Sequence, residues 1–216
     1  LCGYGEAAVG AEMVLGDRSV RKWDGSDTWQ GTRYFRVYIF MDRHGRNIDV
    51  RHITEHIPSM EEIDLPDIAR QLAMKKNGLV LVTGPNGHGK STTLAAMVDH
   101  LNATKRYHIL TIEDPIEFIY QRKKSLISQR EIGAHTPDFV QTLKRVVRQD
   151  VSVIVVGEMR DLETMAATIT LAETGHLVLG TLHTQNAAST IERVIDIFPA
   201  HHQQQIRTQL SLSLQG

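Results

Sequence analysis

One glycine-rich loop constrains the fold of this chain more than any other segment. It has the sequence GPNGHGKS at residues 84–91 and follows the apolar run LVLVT at 79–83. It matches G-x-x-x-x-G-K-[ST] in full. Glycines let backbone N–H groups approach phosphate oxygens without a Cβ in the way, and a following helix adds the partial positive charge of its N-terminus. The sequence therefore predicts a strand, a phosphate-binding loop and a helix in this order.

The residue types of the loop indicate how it binds a nucleotide. Lys90 is expected to contact the β- and γ-phosphates of ATP, and the Ser91 hydroxyl is expected to complete the coordination of Mg²⁺. ATP and Mg²⁺ are therefore the predicted ligands. The predicted nucleotide-binding residues are Gly84, Pro85, Asn86, Gly87, His88, Gly89, Lys90, Ser91 and Thr92.

Downstream of residue 78, apolar runs alternate with helical patterns. The apolar runs predict buried strands at 79–83, 108–112, 152–157 and 177–182. Helices are predicted at 91–101, 162–173, 187–197 and 201–214, and one more is expected to start at Thr136-Pro137-Asp138. Strands separated by helices imply a parallel sheet with right-handed crossovers, and hence an α/β fold.

The residues before 78 have a different character. An irregular, glycine- and charge-rich opening is predicted for 1–31, followed by strand-like pieces at 34–41 and 48–53 with a hairpin turn near Gly45. A linker at 58–66 and a short helix at 67–76 come next. We therefore expect a partial, smaller α+β N-terminal domain at 1–60, a linker and short helix at 61–77, and an α/β domain at 78–216 that is shortened at its C-terminal end.

Composition excludes some functions. With 24 Lys plus Arg against 25 Asp plus Glu, the near-neutral charge disfavours a dedicated nucleic-acid binder. The single cysteine, Cys2, cannot form an internal disulfide, which favours a reducing cytoplasm. The apolar runs are too short to cross a bilayer, so no transmembrane segment is predicted.

Two groups of acids are placed to act on a bound nucleotide. Glu158 follows the strand VIVVG and is expected at the carboxyl edge of the sheet beside the loop, where it would serve the metal. Gly157 stands where many P-loop enzymes carry an aspartate. Glu113, Asp114 and Glu117 follow the strand HILTI, a good place to orient a water molecule. The alternatives are a solvated strand-end glutamate at 158 and an ordinary acid-rich turn at 113–117.

Four blocks of sequence resemble one family. They are GPNGHGKSTTLAAM (84–97), TIEDPIEF (111–118), VGEMRDLET (156–164) and ETGHLVLGTLHT (173–184). These blocks resemble the secretion and type IV pilus motor ATPases, and within them the retraction branch. The resemblance implies a RecA-like P-loop domain that hydrolyses ATP within a homohexameric ring. It also implies a cytoplasmic protein at the inner face of the cytoplasmic membrane, with an inner-membrane pilus platform protein as partner.

The resemblance also implies roles for individual residues. Glu113 is similar to the catalytic glutamate that activates the attacking water, and Glu158 to the Walker B glutamate near Mg²⁺. His176 and His183 fall in the family's His box, where the second histidine is expected to sense the γ-phosphate.

Arginines of the N-terminal domain are the last group that the resemblance implies. Arg36 and Arg51 match arginines that reach the nucleotide of a neighbouring subunit, with Arg46 as a third candidate. The sequences GEMRDLET and GTLHT resemble the retraction branch more than the assembly branch. The single cysteine also favours retraction, because assembly ATPases usually carry a four-cysteine zinc module.

Several alternatives to a pilus retraction motor stay open. They are a pilus assembly or type II secretion ATPase, a DNA-directed motor, and a nucleotide-binding module without turnover. The last is suggested by Asp150-Val151-Ser152, which replaces the family's usual Asp-Pro-Asp. The pattern H-x-x-E-H at 52–56 resembles a zinc site, but such a site would need a helical segment, and a strand-like pattern precedes it.

Overall fold

The computed structural model describes residues 23–29, 33–53 and 56–216. The chain divides into two compact units: residues 1–56 with 115–119, and residues 57–114 with 120–216. The predicted domain limits at residues 60 and 77 stay predictions. Most of the predicted irregular opening, at 1–22, lies outside the described residues.

The first unit contains a three-stranded antiparallel sheet. Its strands, in spatial order, are β1 (Trp23–Trp29), β2 (Arg33–Asp42) and β3 (Gly45–Ile53). The predicted hairpin between β2 and β3 is confirmed. The Asp42 carboxylate accepts hydrogen bonds from the backbone N–H groups of His44 (2.7 Å) and Gly45 (3.1 Å), which closes the turn. Among the described residues, the buried apolar side chains of this sheet are those of Val37, Ile39 and Ile53.

The first strand of this sheet lies where the sequence predicts an irregular opening. An irregular opening was predicted through residue 31, yet Trp23–Trp29 forms β1. Its sequence, WDGSDTW, is rich in Asp, Ser and Gly, which are poor strand formers. Backbone pairing along the whole length of β1 with β2, from Trp23 opposite Ile39 to Trp29 opposite Arg33, stabilises the strand in spite of its composition.

The second unit is an α/β domain with a parallel five-stranded sheet. The spatial order is β4-β8-β7-β5-β6, and every pairing is parallel. The four predicted strands and the α/β fold class are confirmed, whereas β6 was not predicted. The strands are β4 (Gly78–Thr83), β5 (His108–Glu113), β6 (Leu126–Glu131), β7 (Val153–Val156) and β8 (Leu177–Leu182).

Helices cover both faces of this sheet. The described helices are α1 (Asp67–Ala73), α2 (Lys90–Thr104), α3 (Phe139–Val146), α4 (Leu162–Glu173), α5 (Ala187–Asp196) and α6 (Ala200–Ser213). The helix predicted to start at Thr136 begins at Phe139 instead, because Asp138 is its extended N-cap and accepts a hydrogen bond from the Gln141 N–H at 2.7 Å. No helix in the described part of the chain is long and apolar enough to cross a membrane.

Two apolar clusters fix the sheet between its helices. Side chains of α1 and α2 pack on one face with Ile109 and Val155, while side chains of α3 to α6 pack on the other with Leu110 and Ile154. Alternate strand residues thus enter opposite clusters, as expected for strands buried on both faces. Because all five strands run in the same direction, the loops that follow them lie along one edge of the sheet.

Candidate nucleotide-binding site

The phosphate loop connects the end of β4 to the start of α2. Its last glycine, Gly89, is the N-cap of α2 and has φ +80°, a left-handed conformation that glycine adopts without steric cost. No side chain caps the first turn of this helix. The helix N-terminus therefore presents backbone N–H groups and a partial positive charge, which suit phosphate oxygens.

Lys90 connects the loop to the end of another strand. The residue is buried, with 8% of its surface exposed. The ammonium Nζ donates to the carbonyl oxygens of Gly84 (2.8 Å) and Pro85 (3.0 Å), and it lies 3.4 Å from Nδ1 of His183. Lys90 therefore holds the first residues of the loop to its own helix and reaches the residue that follows β8.

His183 links Lys90 to Glu158. The imidazole Nε2 lies 3.0 Å from Oε1 of Glu158, on the far side of the ring from Lys90. A neutral imidazole that is protonated on Nε2 satisfies both neighbours, because it accepts from the ammonium and donates to the carboxylate. Lys90, His183 and Glu158 therefore form one continuous polar chain across the ends of three strands.

Glu158 is held as a carboxylate. Burial by itself would raise the pKa of Glu158, but the hydrogen bond and charge of Arg160, with a contribution from His183, lower it below its ordinary value. The Arg160 guanidinium donates to Oε2 at 2.6 Å. A carboxylate oxygen and the hydroxyl of Ser91, in the first turn of α2, are ligand types that Mg²⁺ prefers. These two residues fit the expected metal, and their coordination of it stays a prediction.

Glu113 lies at the end of β5, next to β7. Its Oε1 accepts hydrogen bonds from the Thr111 hydroxyl (2.6 Å) and from the side-chain amide of Gln129 on β6 (3.3 Å). The spatial order of the strands therefore gives a row of groups along the carboxyl edge: the phosphate loop after β4, His183 after β8, Glu158 after β7 and Glu113 at the end of β5.

The structure explains the glycine at position 157. A Cβ atom there would lie 3.1 Å from the carbonyl oxygen of Ile112 and 3.2 Å from Cα of Glu113. Both contacts are with backbone, which cannot yield as a side chain can. An aspartate at 157 would therefore push β7 away from the end of β5. The acid that follows β7 is Glu158, one residue later.

The two histidines of the His box lie at opposite ends of β8. His176 precedes the strand, and its Nδ1 lies 3.2 Å from the carbonyl oxygen of Leu171 in α4. His183 follows the strand after six residues, a rise of about 20 Å at 3.3 Å per residue. His176 therefore belongs to the turn between α4 and β8, and of the two histidines only His183 lies at the edge of the sheet that carries the phosphate loop.

The three arginines of the N-terminal sheet lie on two different faces. Arg36 on β2 and Arg51 on β3 are directly paired and share a face. Arg46 pairs with Met41, five residues before Arg51, so strand alternation places it on the opposite face. Arg46 therefore projects from the face opposite to Arg36 and Arg51, and its role as a third candidate stays a prediction.

The zinc pattern at 52–56 begins on a strand, at the last residues of β3. His52 belongs to β3, and Glu55 lies outside the described residues. Within the described ranges, no group of three or more His, Cys, Asp or Glu side chains is arranged to hold a metal.

Three residues of the site were not predicted from the sequence: Thr111, Gln129 and Arg160. Arg160 lies inside the block VGEMRDLET, so its proximity to Glu158 was available as a signal. Thr111 precedes Glu113 by two residues in a strand, a spacing that places both side chains on one face. Gln129 carried no signal, because its strand β6 was not predicted.

A parallel sheet, a phosphate loop before a helix, and acids at the ends of neighbouring strands together define a P-loop nucleotide-binding domain of the RecA-like α/β type. The chain belongs to the type II/IV secretion system protein family, whose model matches residues 39–215. The family resemblance of the four sequence blocks is thereby confirmed.

Relatives within this family have informative names. The type IV pilus retractation ATPase PilT of Pseudomonas aeruginosa is 51% identical over 186 residues, which are 86% of this chain and 54% of that protein. A twitching motility protein of Neisseria gonorrhoeae is 52% identical over 180 residues, 83% of this chain and 48% of that protein. The chain thus spans about half of the length of these relatives.

A solved structure extends the comparison to the fold. A crystal structure of the pilus retraction motor PilT with bound ADP matches with a TM-score of 0.88 and 46% identity. The match covers 95% of this chain and 59% of that one. A structural relative with the same fold therefore binds an adenine nucleotide.

Proposed function

We propose that this protein is an ATP-hydrolysing motor subunit that powers type IV pilus retraction and hence twitching motility. The observation that carries the proposal is the row formed by the phosphate loop, His183, Glu158 and Glu113 along one edge of the sheet. Relatives named for pilus retraction and for twitching motility support the biological role.

The proposed reaction is in-line attack of water on the γ-phosphate of ATP. Lys90 and the loop N–H groups bind the phosphates, and Glu113 accepts the proton of the attacking water. His183, which contacts both Lys90 and Glu158, senses the γ-phosphate. Ser91 and Glu158 are the residues that would hold Mg²⁺, which neutralises phosphate charge when bound.

The proposed assembly is a homohexameric ring in which Arg36 and Arg51 act on the nucleotide of a neighbouring subunit. These two arginines are directly paired across β2 and β3, so they share one face of the sheet. Arginines that reach a neighbouring nucleotide would offset the charge that develops at its γ-phosphate, as an arginine finger does in other nucleotide hydrolases. Movement would arise when hydrolysis changes the position of one domain relative to the next.

The proposed location is cytoplasmic, at the inner face of the membrane beside the pilus platform protein. The segments that lead into the five parallel strands (74–77, 105–107, 121–125, 147–152 and 174–176) carry eight basic residues and one acidic residue. They share the edge of the sheet opposite the phosphate loop. A basic edge of this kind suits an anionic membrane surface or an acidic segment of a partner.

The first test is ATP hydrolysis by the purified protein over a range of protein concentrations. We expect specific activity to rise with concentration, because each site needs an arginine from a neighbour. Lys90→Ala should lose ATP binding, and Glu113→Gln should keep binding but lose hydrolysis. ATP binding without phosphate release at any concentration would instead indicate a nucleotide-binding module.

Mixing two inactive variants tests the arginines. Arg51→Ala keeps its own phosphate loop, and Lys90→Ala keeps its own arginine, so a mixed ring should regain part of the activity. Arg46→Ala is the matched control, since Arg46 lies on the other face of the same strand, and it should stay active alone. No recovery in the mixture would argue against action between subunits.

Loss of the gene separates retraction from assembly. A cell that lacks a retraction motor is expected to keep its surface pili but to stop twitching. A cell without pili would instead support the assembly alternative.

A further inference from the structure

We infer that Thr111 and Gln129 are positioning residues that fix the Glu113 carboxylate in the orientation needed to activate water. The inference rests on the proposed function, because it assumes that Glu113 is the base of the hydrolysis reaction. Neither residue belongs to the phosphate loop or to the two acids of the site. Both act on Glu113 from the sheet itself.

Thr111 provides the shorter of the two contacts. It is fully buried in β5, two residues before Glu113, so both side chains project from the same face of the sheet. Its hydroxyl donates to Oε1 of Glu113 at 2.6 Å. Hydroxyl-to-carboxylate bonds of this length are charge-assisted and about twice as strong as neutral ones.

Gln129 provides the second contact, and its amide has a defined orientation. The backbone N–H of Tyr120 lies 3.0 Å from Oε1 of Gln129. Because an N–H group can only donate, the amide oxygen must face Tyr120, and the amide nitrogen must face Glu113. That nitrogen lies 3.3 Å from Oε1 of Glu113. Gln129 is also the direct partner of Thr111 in the pairing of β5 with β6, so the two donors start side by side.

Both donors therefore converge on one carboxylate oxygen. The last torsion of a glutamate side chain is broad, so a carboxylate without such donors samples many orientations. Two donors on Oε1 restrict that rotation and fix the direction of the whole group. The backbone is restrained as well, since the Ile132 N–H donates to the Glu113 carbonyl at 2.9 Å and the Gly157 N–H donates to the Ile112 carbonyl at 2.8 Å.

The surroundings increase the effect of these donors. Tyr120, which orients Gln129 through its backbone, has a buried phenol whose pKa is raised well above its ordinary value by burial, and further by the charges of Glu113 and Asp99. Glu113 itself is half-buried, so protein rather than water surrounds part of its carboxylate. Hydrogen bonds to a charged group are stronger where water does not screen them.

Two substitutions at Thr111 separate positioning from packing. Thr111→Val keeps the branched shape and the packing but removes the hydroxyl, while Thr111→Ser keeps the hydroxyl and removes a buried methyl group. We expect Thr111→Val to lower kcat about 10- to 100-fold with an unchanged KM for ATP. Thr111→Ser should keep at least about a third of kcat, although it removes buried packing and should lower Tm.

The expected result is thus a reversal: the variant with the better-preserved packing has the lower kcat. The inference would be overturned by wild-type kcat in Thr111→Val, or by kcat that follows Tm in both variants.

Gln129 is tested with two variants of similar length. Gln129→Met removes the donor, and Gln129→Glu replaces it with a carboxylate facing Glu113, so we expect kcat to fall more in Gln129→Glu. A wild-type kcat in both variants would overturn the role of Gln129. Glu113→Gln distinguishes a failure of the proposed base from a failure of the positioning inference. If it hydrolyses ATP at the wild-type rate, the proposed base is wrong; if it is inactive while Thr111→Val is fully active, only the positioning inference fails.

Discussion

Replacing Gly157 by alanine is expected to lower both stability and the rate of ATP hydrolysis. The added Cβ would lie 3.1 Å from the Ile112 carbonyl oxygen and 3.2 Å from Cα of Glu113. These atoms belong to the backbone of β5, which is hydrogen-bonded to neighbouring strands on both sides. Relief of the contact therefore has to move the end of one strand relative to the other, and with it Glu113.

The size of the effect follows from two competing terms. Overpacking of a well-packed region costs about 1–3 kcal/mol, while Gly→Ala stabilises by about 0.4–1 kcal/mol through the unfolded chain. We expect a net loss of about 1–2 kcal/mol in the free energy of unfolding. If Glu113 is the base, as proposed, a shift of its carboxylate by a fraction of an ångström to 1 Å should lower kcat up to about 100-fold.

Gly180 on the neighbouring strand β8 supplies a matched control. A Cβ there would meet the sulfur of Met159 at 3.2 Å and its methyl group at 3.5 Å, and these atoms form the end of a flexible side chain. Gly180→Ala should therefore cost less than about 1 kcal/mol and change kcat only a few-fold. Urea unfolding and steady-state phosphate release measure both quantities. Equal effects of the two substitutions on stability and kcat would show that the backbone contacts at position 157 are not the cause.

Two further predictions concern stability. Asp161 caps α4 by accepting from the backbone N–H (2.8 Å) and hydroxyl (2.7 Å) of Thr164. Burial by itself would raise the pKa of Asp161. The hydrogen bonds lower the pKa by more than burial raises it, so the net shift is downward from 3.8. The stabilisation is therefore present above pH 3.8 and is lost as the pH falls below it. Asp161→Ala should lower the free energy of unfolding by about 1 kcal/mol at pH 7 and by less as the pH falls through the acid range, where only the uncharged cap remains. Asp161→Asn, which keeps a cap without a charge, should lie between wild type and Asp161→Ala at pH 7. Urea unfolding along a pH series decides. Asn102 is fully buried; its side chain donates to the Gln121 carbonyl (2.7 Å) and accepts from the Lys123 N–H (3.1 Å). Asn102→Leu leaves both backbone groups without this partner and should lower the free energy of unfolding by about 2–4 kcal/mol. A loss below about 1 kcal/mol in the same assay would contradict this account.

Much of this protein is determined by local sequence. The strands β4, β5, β7 and β8 are continuous apolar runs, because a parallel strand covered on both faces has no polar side to display. The phosphate loop is equally local, since strand, glycines, lysine and helix are contiguous. The α/β fold, the family and the positions of Glu158 and His183 after strands were therefore predictable.

Strands that depend on a neighbour were not predictable. β6 reads LISQRE, and its polar residues include Gln129, whose partners are Glu113 and the backbone of Tyr120. β1 reads WDGSDTW and is a strand through its pairing with β2. In both strands, hydrogen bonds to a partner outweigh weak intrinsic propensity, and a single segment does not reveal its partner.

The assembly of the site depends on the pairing of the strands, which no single segment of the sequence reveals. The order of the strands brings Lys90, His183 and Glu158 into one chain although they are distant in sequence. The same order excludes His176 by placing it at the other end of β8. It also explains Gly157, because the close approach of two strand ends is a property of their pairing and not of either sequence. The residue types determine the possible chemistry, and strand order and register determine which residues come into contact.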